Sequence, residues 1–314
     1  MDVNKIQSNK LNSRYFDSVK CDLCGFDKYK IIYSSRYSGK TIEELKKMYR
    51  ASGDDLLIDQ LVKCKKCGLI YVNPRIKSEM IIKGYSEGSD ETFVSQAKSR
   101  EDTFRKSLSL IEKFYPKKGY LLDVGTAGGS FLAAAKKKGW KIYGCEPNNW
   151  LAEWGSKNYN IKIDKGTIFD QNYTSNHFDV VTLWDVIEHT PSPSEVLKEC
   201  NRVMKKNGVL VVNYPDIGSY ISKLMKMKWL FLTSVHLYYF TRRTIKLMLE
   251  KEGFEIVLIK PHFQTLEAGY VFFRAGKYNK LISRIGLSIV NTLGLGKKGL
   301  PYWLGQTFVL AIKK

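Results

Sequence analysis

Leu121-Leu122-Asp123-Val124-Gly125-Thr126-Ala127-Gly128-Gly129 is the stretch on which the fold turns. An apolar run from Tyr120 to Val124 has the character of a buried strand, the glycines make a tight turn, and Ser130 to Lys138 reads as a helix. A strand, turn and helix in this order bring backbone N–H groups and a helix N-terminus to one point, where a ligand's anionic group is favoured and glycine permits close approach. About twenty residues later the next strand ends at Gly144-Cys145-Glu146-Pro147, and a carboxylate at that place can accept hydrogen bonds from both hydroxyls of a ribose. The pair predicts a nucleoside ligand. A dinucleotide fingerprint wants glycine at its first, third and sixth positions, which here are Gly125, Ala127 and Ser130, so NAD is disfavoured. No Gly-Lys-Ser/Thr follows the turn, which disfavours ATP.

Working outward, strand and helix patterns alternate. Ser107 to Phe114, Ser192 to Met204 and Thr241 to Lys251 read as helices, while Lys141 to Cys145, Phe178 to Leu183, Gly208 to Asn213 and Phe254 to Ile259 read as strands. The expectation is a doubly wound α/β domain over residues 81–314. Two segments break the alternation, near 215–240 and 277–300, and both mix apolar with basic residues. In the second, Leu281, Ile285, Ile289 and Leu293 recur every four residues with Lys277, Lys280, Arg284, Lys297 and Lys298 close by. That pattern fits either a helix packed on the core or a basic amphipathic helix on a membrane surface.

Asp123, Gly125 and Gly129 match the acidic-x-Gly-x-Gly-x-Gly motif of the class I S-adenosylmethionine-dependent methyltransferases, with Ala127 at the middle glycine. The ordered segments Glu146, Phe178-Asp179-Val180-Val181-Thr182-Leu183-Trp184-Asp185-Val186-Ile187-Glu188-His189 and Val203 to Leu210 extend the resemblance, which covers about 99–314. The resemblance implies a Rossmann-like, mostly parallel sheet whose last strand, Gln306 to Ile312, is antiparallel. It implies S-adenosylmethionine as cofactor, held by Asp123, Gly125, Ala127, Gly129 and Glu146, with Thr167 and Ile168 at the adenine end. Family members carry an acid there, a role open to Thr167 or Asp170. Trp184 reads equally as a core aromatic or a cofactor wall.

Residues 1–80 form a separate small module. Cys21-Asp22-Leu23-Cys24-Gly25 and Cys64-Lys65-Lys66-Cys67-Gly68 each resemble a zinc knuckle, and two knuckles complete a four-thiolate structural Zn2+ site of Cys21, Cys24, Cys64 and Cys67. The long separation between them costs closure entropy only logarithmically. A redox dithiol is the competing reading. Cys145 and Cys200 fall in expected core elements. The ribbon followed by Gly68 to Arg75 resembles a zinc-ribbon-bearing methyltransferase group of glycan and secondary-metabolite pathways.

Methyl transfer to a hydroxyl requires a proton acceptor beside an aligned nucleophile. His189, at the carboxyl end of the fourth expected strand, and His236 are the candidates, with Asp185 as the acid on the same loop. His236-Leu237-Tyr238-Tyr239-Phe240 resembles a pocket-lining segment whose aromatics could stack on a sugar face. The expected acceptor is a small molecule or glycan, anionic or lipid-linked, and the expected reaction is O-methylation. C- or N-methylation of a small metabolite uses the same cradle and stays open. The 51 basic against 31 acidic side chains give a formal net charge of +20, which favours anionic partners. An RNA-binding zinc-ribbon protein or RNA methyltransferase is the alternative of another class, yet no base-stacking signature accompanies the charge, so nucleic acid is disfavoured. The opening residues Met1 to Lys10 hold no apolar segment, and the expected location is the cytoplasm, with peripheral contact at the inner membrane face.

Overall fold

The computed structural model describes residues 14–38, 40–46, 56–89, 91–276 and 279–314. Met1 to Lys10, and Lys277 and Tyr278 at the start of the second expected insert, lie outside the described residues.

Seven strands build the main sheet: β1 (Tyr120–Val124), β2 (Lys141–Glu146), β3 (Asp164–Lys165), β4 (Phe178–Trp184), β5 (Met204–Pro215), β6 (Phe254–Pro261) and β7 (Gln306–Lys313). Their order is β3-β2-β1-β4-β5-β7-β6. The first five pair in parallel, and β7 lies antiparallel between β5 and β6. Parallel strands covered on both faces read as continuous apolar runs, and Leu121, Leu122, Val180, Val181 and Val209 to Val212 are all buried. The seven helices that bear on the site are α1 (Ala97–Phe114), α2 (Ser130–Lys137), α3 (Asn149–Tyr159), α4 (Pro193–Val203), α5 (Arg242–Lys251), α6 (Ala268–Ala275) and α7 (Lys280–Thr292). Asn148 caps α3 by accepting from Leu151 N–H, and Thr241 caps α5 through Thr244 N–H. Such caps contribute about 1 kcal/mol each.

The cysteine-bearing module is joined to this domain by shared structure. Its antiparallel strands Tyr29–Tyr33, Leu61–Cys64 and Ile70–Val72 are extended by Tyr238–Tyr239 from the 215–240 insert. Val72 N–H also donates to Leu237 O at 2.9 Å. Inside the first knuckle, the Asp22 carboxylate accepts from Ser192 Oγ at 2.9 Å and from Ser194 N–H at 2.8 Å, so an acid from the module sits at the N-terminus of α4. Phe16, Tyr37, Val62 and Tyr71 share one apolar core with Leu183, Leu210 and Val309. The 215–240 insert folds as a short helix, Tyr220–Met225, with Trp229 and Leu232 packed on Leu57, Leu61 and Val72. It buttresses the module as well as reaching the cavity below.

Candidate active site

At the carboxyl ends of β1, β2 and β4 lies a cavity of about 890 Å³. Its lining runs from Asp123, Ala127 and Glu146, past Ile168, Trp184 and Asp185, to His189 and His236, and ends at Tyr270, Arg274 and Tyr302. This position follows from the topology, because strand order reverses between β1 and β4 and the loops there diverge.

Glu146 is wholly buried, and each carboxylate oxygen is fixed by a backbone donor: Asn148 N–H at 2.8 Å and Ala127 N–H at 2.7 Å. Burial pushes its carboxyl up to about 7 against those two donors. Asp123 accepts from Thr182 Oγ1 at 2.6 Å, and burial, assisted by the charge of Glu146, likewise raises it to about 7. Four N–H groups of the glycine turn have acceptors within the protein. Gly125 N–H and Thr126 N–H donate to Cys145 O, Ala127 N–H to Glu146, and Gly129 N–H to Thr126 O. Of these donors, Ala127 N–H holds the Glu146 carboxylate in place, and the other three brace the Cys145 and Thr126 carbonyls. Gly125 and Gly129 both have positive φ, and an added Cβ would meet Val186 or the Ile161 and Ile163 methyls at 2.8–2.9 Å. Ala127 itself adopts φ +49°, so the residue at the middle glycine sits in the left-handed region.

At the adenine end, Thr167 and Ile168 line the cavity, whereas the Asp170 carboxylate turns away to accept from Thr167 N–H and Thr167 Oγ1 at 2.7 and 2.6 Å. Trp184 lines the cavity and packs among Phe104, Phe131 and Phe308, and its Nε1 has no hydrogen-bond partner among the described residues.

Asp185 occupies a left-handed turn, φ +54°, directly after β4. Its oxygens accept from Asn213 Nδ2 at 2.6 Å and Gln264 Nε2 at 3.2 Å, and burial raises the carboxyl to about 6 against those contacts. Asn213 in turn accepts from His262 Nδ1 at 2.7 Å, and Tyr302 donates to Gln264 at 2.5 Å. These supporting residues went unread in the sequence. Asn213 had a visible signal, an amide at the ligand end of an otherwise apolar strand.

His189 Nδ1 contacts Val235 O at 3.1 Å, and His236 Nδ1 contacts Phe231 O at 2.8 Å. A carbonyl can only accept, so each Nδ1 carries the proton and each Nε2 a lone pair. Burial lowers His189 to about 4 and His236 well below its ordinary range. The two rings meet edge to face, centroids 4.6 Å apart. The aromatics after His236 need correction: Tyr238, Tyr239 and Phe240 are buried in the core, Tyr238 bound to Arg75 and Tyr239 to Thr233 O, so they offer no face to a sugar.

The four knuckle cysteines converge as expected. Cys21 and Cys67 Sγ are 3.4 Å apart, Cys24 and Cys64 Sγ 3.6 Å, and all four lie within 4.8 Å of one another. A tetrahedron with Zn–S bonds of about 2.3 Å has edges of about 3.8 Å, so the cluster is compatible with zinc. Cys145 and Cys200 are buried core residues.

Comparison with known proteins agrees with this geometry. The model of the family described as "Methyltransferase domain" matches residues 97–259, just over half of the chain. A ubiquinone biosynthesis O-methyltransferase of Actinobacillus pleuropneumoniae is 35% identical over 101 residues, 29% of this chain and 43% of that protein. One from Coxiella burnetii is 30% identical over 111 residues, 33% of this chain and 47% of that protein. The chain thus spans under half the length of these curated relatives. A SAM-dependent methyltransferase from Archaeoglobus fulgidus superposes with a TM-score of 0.50 at 19% identity, covering 71% of this chain and all of that one, a likeness of fold.

Proposed function

The chain belongs to the methyltransferase-domain family, and from that premise we propose that it binds S-adenosylmethionine between Asp123 and Glu146 and passes the methyl group to a hydroxyl of a small, lipid-linked or glycan acceptor. The observation that carries this reading is Glu146: a fully buried carboxylate, oriented by two backbone donors at the end of β2 and opening on the cavity. A carboxylate has about four acceptor sites; the two backbone donors take two, the Tyr85 side chain also bonds it, and ribose hydroxyls would bind at what remains. When bound, the cofactor supplies an electrophilic methyl on a sulfonium. Asp185, His189 and His236 supply the proton acceptors, all unprotonated at neutral pH because each titrates below it. Thr167 and Ile168 would flank the adenine, and the four knuckle thiolates would hold structural zinc.

The choice of oxygen as nucleophile leans on the relatives named O-methyltransferases. A lipid-linked acceptor is favoured by the apolar and basic face next to a helix that lines the cavity. Tyr270 and Arg274 of α6 line the cavity, and the adjoining α7 with the turn that follows it exposes Leu281, Ile282, Ile285, Ile289 and Leu293 among Lys280, Arg284, Lys297 and Lys298. Such a face suits an anionic bilayer surface. No helix among the described residues is long and apolar enough to cross a membrane.

Isothermal titration of the purified chain with S-adenosylhomocysteine tests the cofactor assignment. One site per chain, abolished by Asp123→Ala and by Glu146→Ala, is expected. No heat of binding with the wild-type protein rejects it.

A further inference from the structure

The loop after β4 carries a group that the proposed methyl transfer does not use. Glu188 is 1% exposed, and neither of its carboxylate oxygens has a hydrogen-bond partner among the described residues. A buried carboxylate with both oxygens unsatisfied is costly unless it is neutralised or meets a cation. Its neighbours are suited to the second course. His189 and His236 each hold their Nδ1 proton on a backbone carbonyl, which leaves both Nε2 lone pairs free to ligate. Ligand atoms of Glu188, His189 and His236 lie within 4.8 Å of one another. The backbone fixes the arrangement, because Leu237 N–H and Tyr238 N–H both donate to Glu188 O and lock the two loops together. Both histidines line the cavity, so a ligated ion would keep positions open toward it.

We propose that Glu188, His189 and His236 form a second metal site, one carboxylate and two imidazoles, for a divalent first-row cation such as Mn2+, Fe2+ or Zn2+. This donor set prefers such ions over the hard alkaline-earth ones and is chemically distinct from the four-thiolate cluster. An ion about 2.1 Å from each donor draws them to about 3.0–3.4 Å apart, so entry tightens the loop pair. Without an ion the two Nε2 atoms stay available as proton acceptors beside Asp185; with the ion bound they would be ligated, that role would pass to Asp185 alone, and a hydroxyl at an open position would be acidified. Cation binding itself does not depend on methyl transfer and is measured without it.

The test uses the full chain with its thiolate cluster loaded with Zn2+, titrated with Mn2+ and followed by electron paramagnetic resonance. One Mn2+ per chain is expected, with electron–nuclear coupling to imidazole nitrogen, and this readout on the wild-type protein does not rely on a variant folding. Glu188→Gln weakens binding by about 100-fold, the upper end of what even an outer-sphere partner is worth, while Ser192→Ala does not. No bound Mn2+, bound Mn2+ without nitrogen coupling, or unchanged affinity in a folded Glu188→Gln protein overturns the site.

Discussion

Replacing Glu146 by glutamine changes one oxygen to an amide in a fully buried place, where the surrounding donors determine the cost. The carboxylate accepts Asn148 N–H on one oxygen and Ala127 N–H on the other. An amide has one accepting oxygen, so one of those N–H groups is left facing an NH2 group, at a cost of about 1–3 kcal/mol. Removing a charge that burial already disfavours offsets part of this at neutral pH. The cofactor loses more. Two ribose hydroxyls donating to a carboxylate are worth about 1.5–3 kcal/mol each in such settings, so losing half of that total, about 1.5–3 kcal/mol, weakens S-adenosylhomocysteine binding by about 10- to 100-fold. The pH dependence gives an independent sign. Glu146 is raised from its ordinary value of 4.5 to about 7, so the ligand-free fold binds this proton more tightly than the unfolded chain. Its contribution to stability is therefore fully present below the unfolded value and is lost as pH rises through about 7. Binding of the ribose to the ionised form runs the other way, so wild-type affinity tightens about tenfold between pH 6 and pH 8. Calorimetry over that range on wild type and Glu146→Gln is the assay. Affinity of the variant within threefold of wild type, or a wild-type affinity independent of pH, refutes the reasoning.

Chelation or Cys64→Ser should release one Zn2+ per chain, measured by elemental analysis, and lower the thermal midpoint while weakening cofactor-site integrity, because Ile70–Val72 pairs with Tyr238–Tyr239 beside His236. Ala127→Gly should change stability by less than about 1 kcal/mol, since relief at φ +49° is offset by a freer unfolded chain, while Ala127→Val should lose about 2 kcal/mol or more in urea denaturation. Asn213→Leu removes a donor to Asp185, and the acid limb of the pH–rate profile should move up by about one unit. Flotation with vesicles rich in anionic lipid should carry the wild-type protein, and Ile285→Asp with Ile289→Asp should leave it behind.

Much of the α/β domain was legible because its strands are buried on both faces: Tyr120–Val124 and Phe178–Trp184 declare themselves as apolar runs ending in acid or glycine. Strand β3 was not, since Asp164–Lys165 is two polar residues held by pairing with β2. The union of the cysteine module with the domain was equally hidden, because Tyr238 and Tyr71 are partners only in three dimensions. Those same contacts take Tyr238 to Phe240 away from the cavity, where resemblance had placed them. The acids at strand ends were readable from spacing, while the turn's role was not. The N–H groups of Gly125, Thr126 and Ala127 go to Cys145 O and Glu146, a pairing across two strands that no spacing announces. Glu188 lay in plain view beside His189, but nothing in a sequence tells a solvated loop acid from a buried, unpaired one.

The most direct measurement is transfer itself. S-adenosylmethionine carrying 13C in its methyl group is incubated with the purified protein and fractionated hydroxyl-bearing extracts, and the product's methyl carbon shift is read by NMR. Label on oxygen is expected, with S-adenosylhomocysteine released in equal amount and none formed by Asp123→Ala. Label on carbon or nitrogen would contradict the hydroxyl acceptor, and the absence of any transfer together with no cofactor binding would contradict the proposed function as a whole.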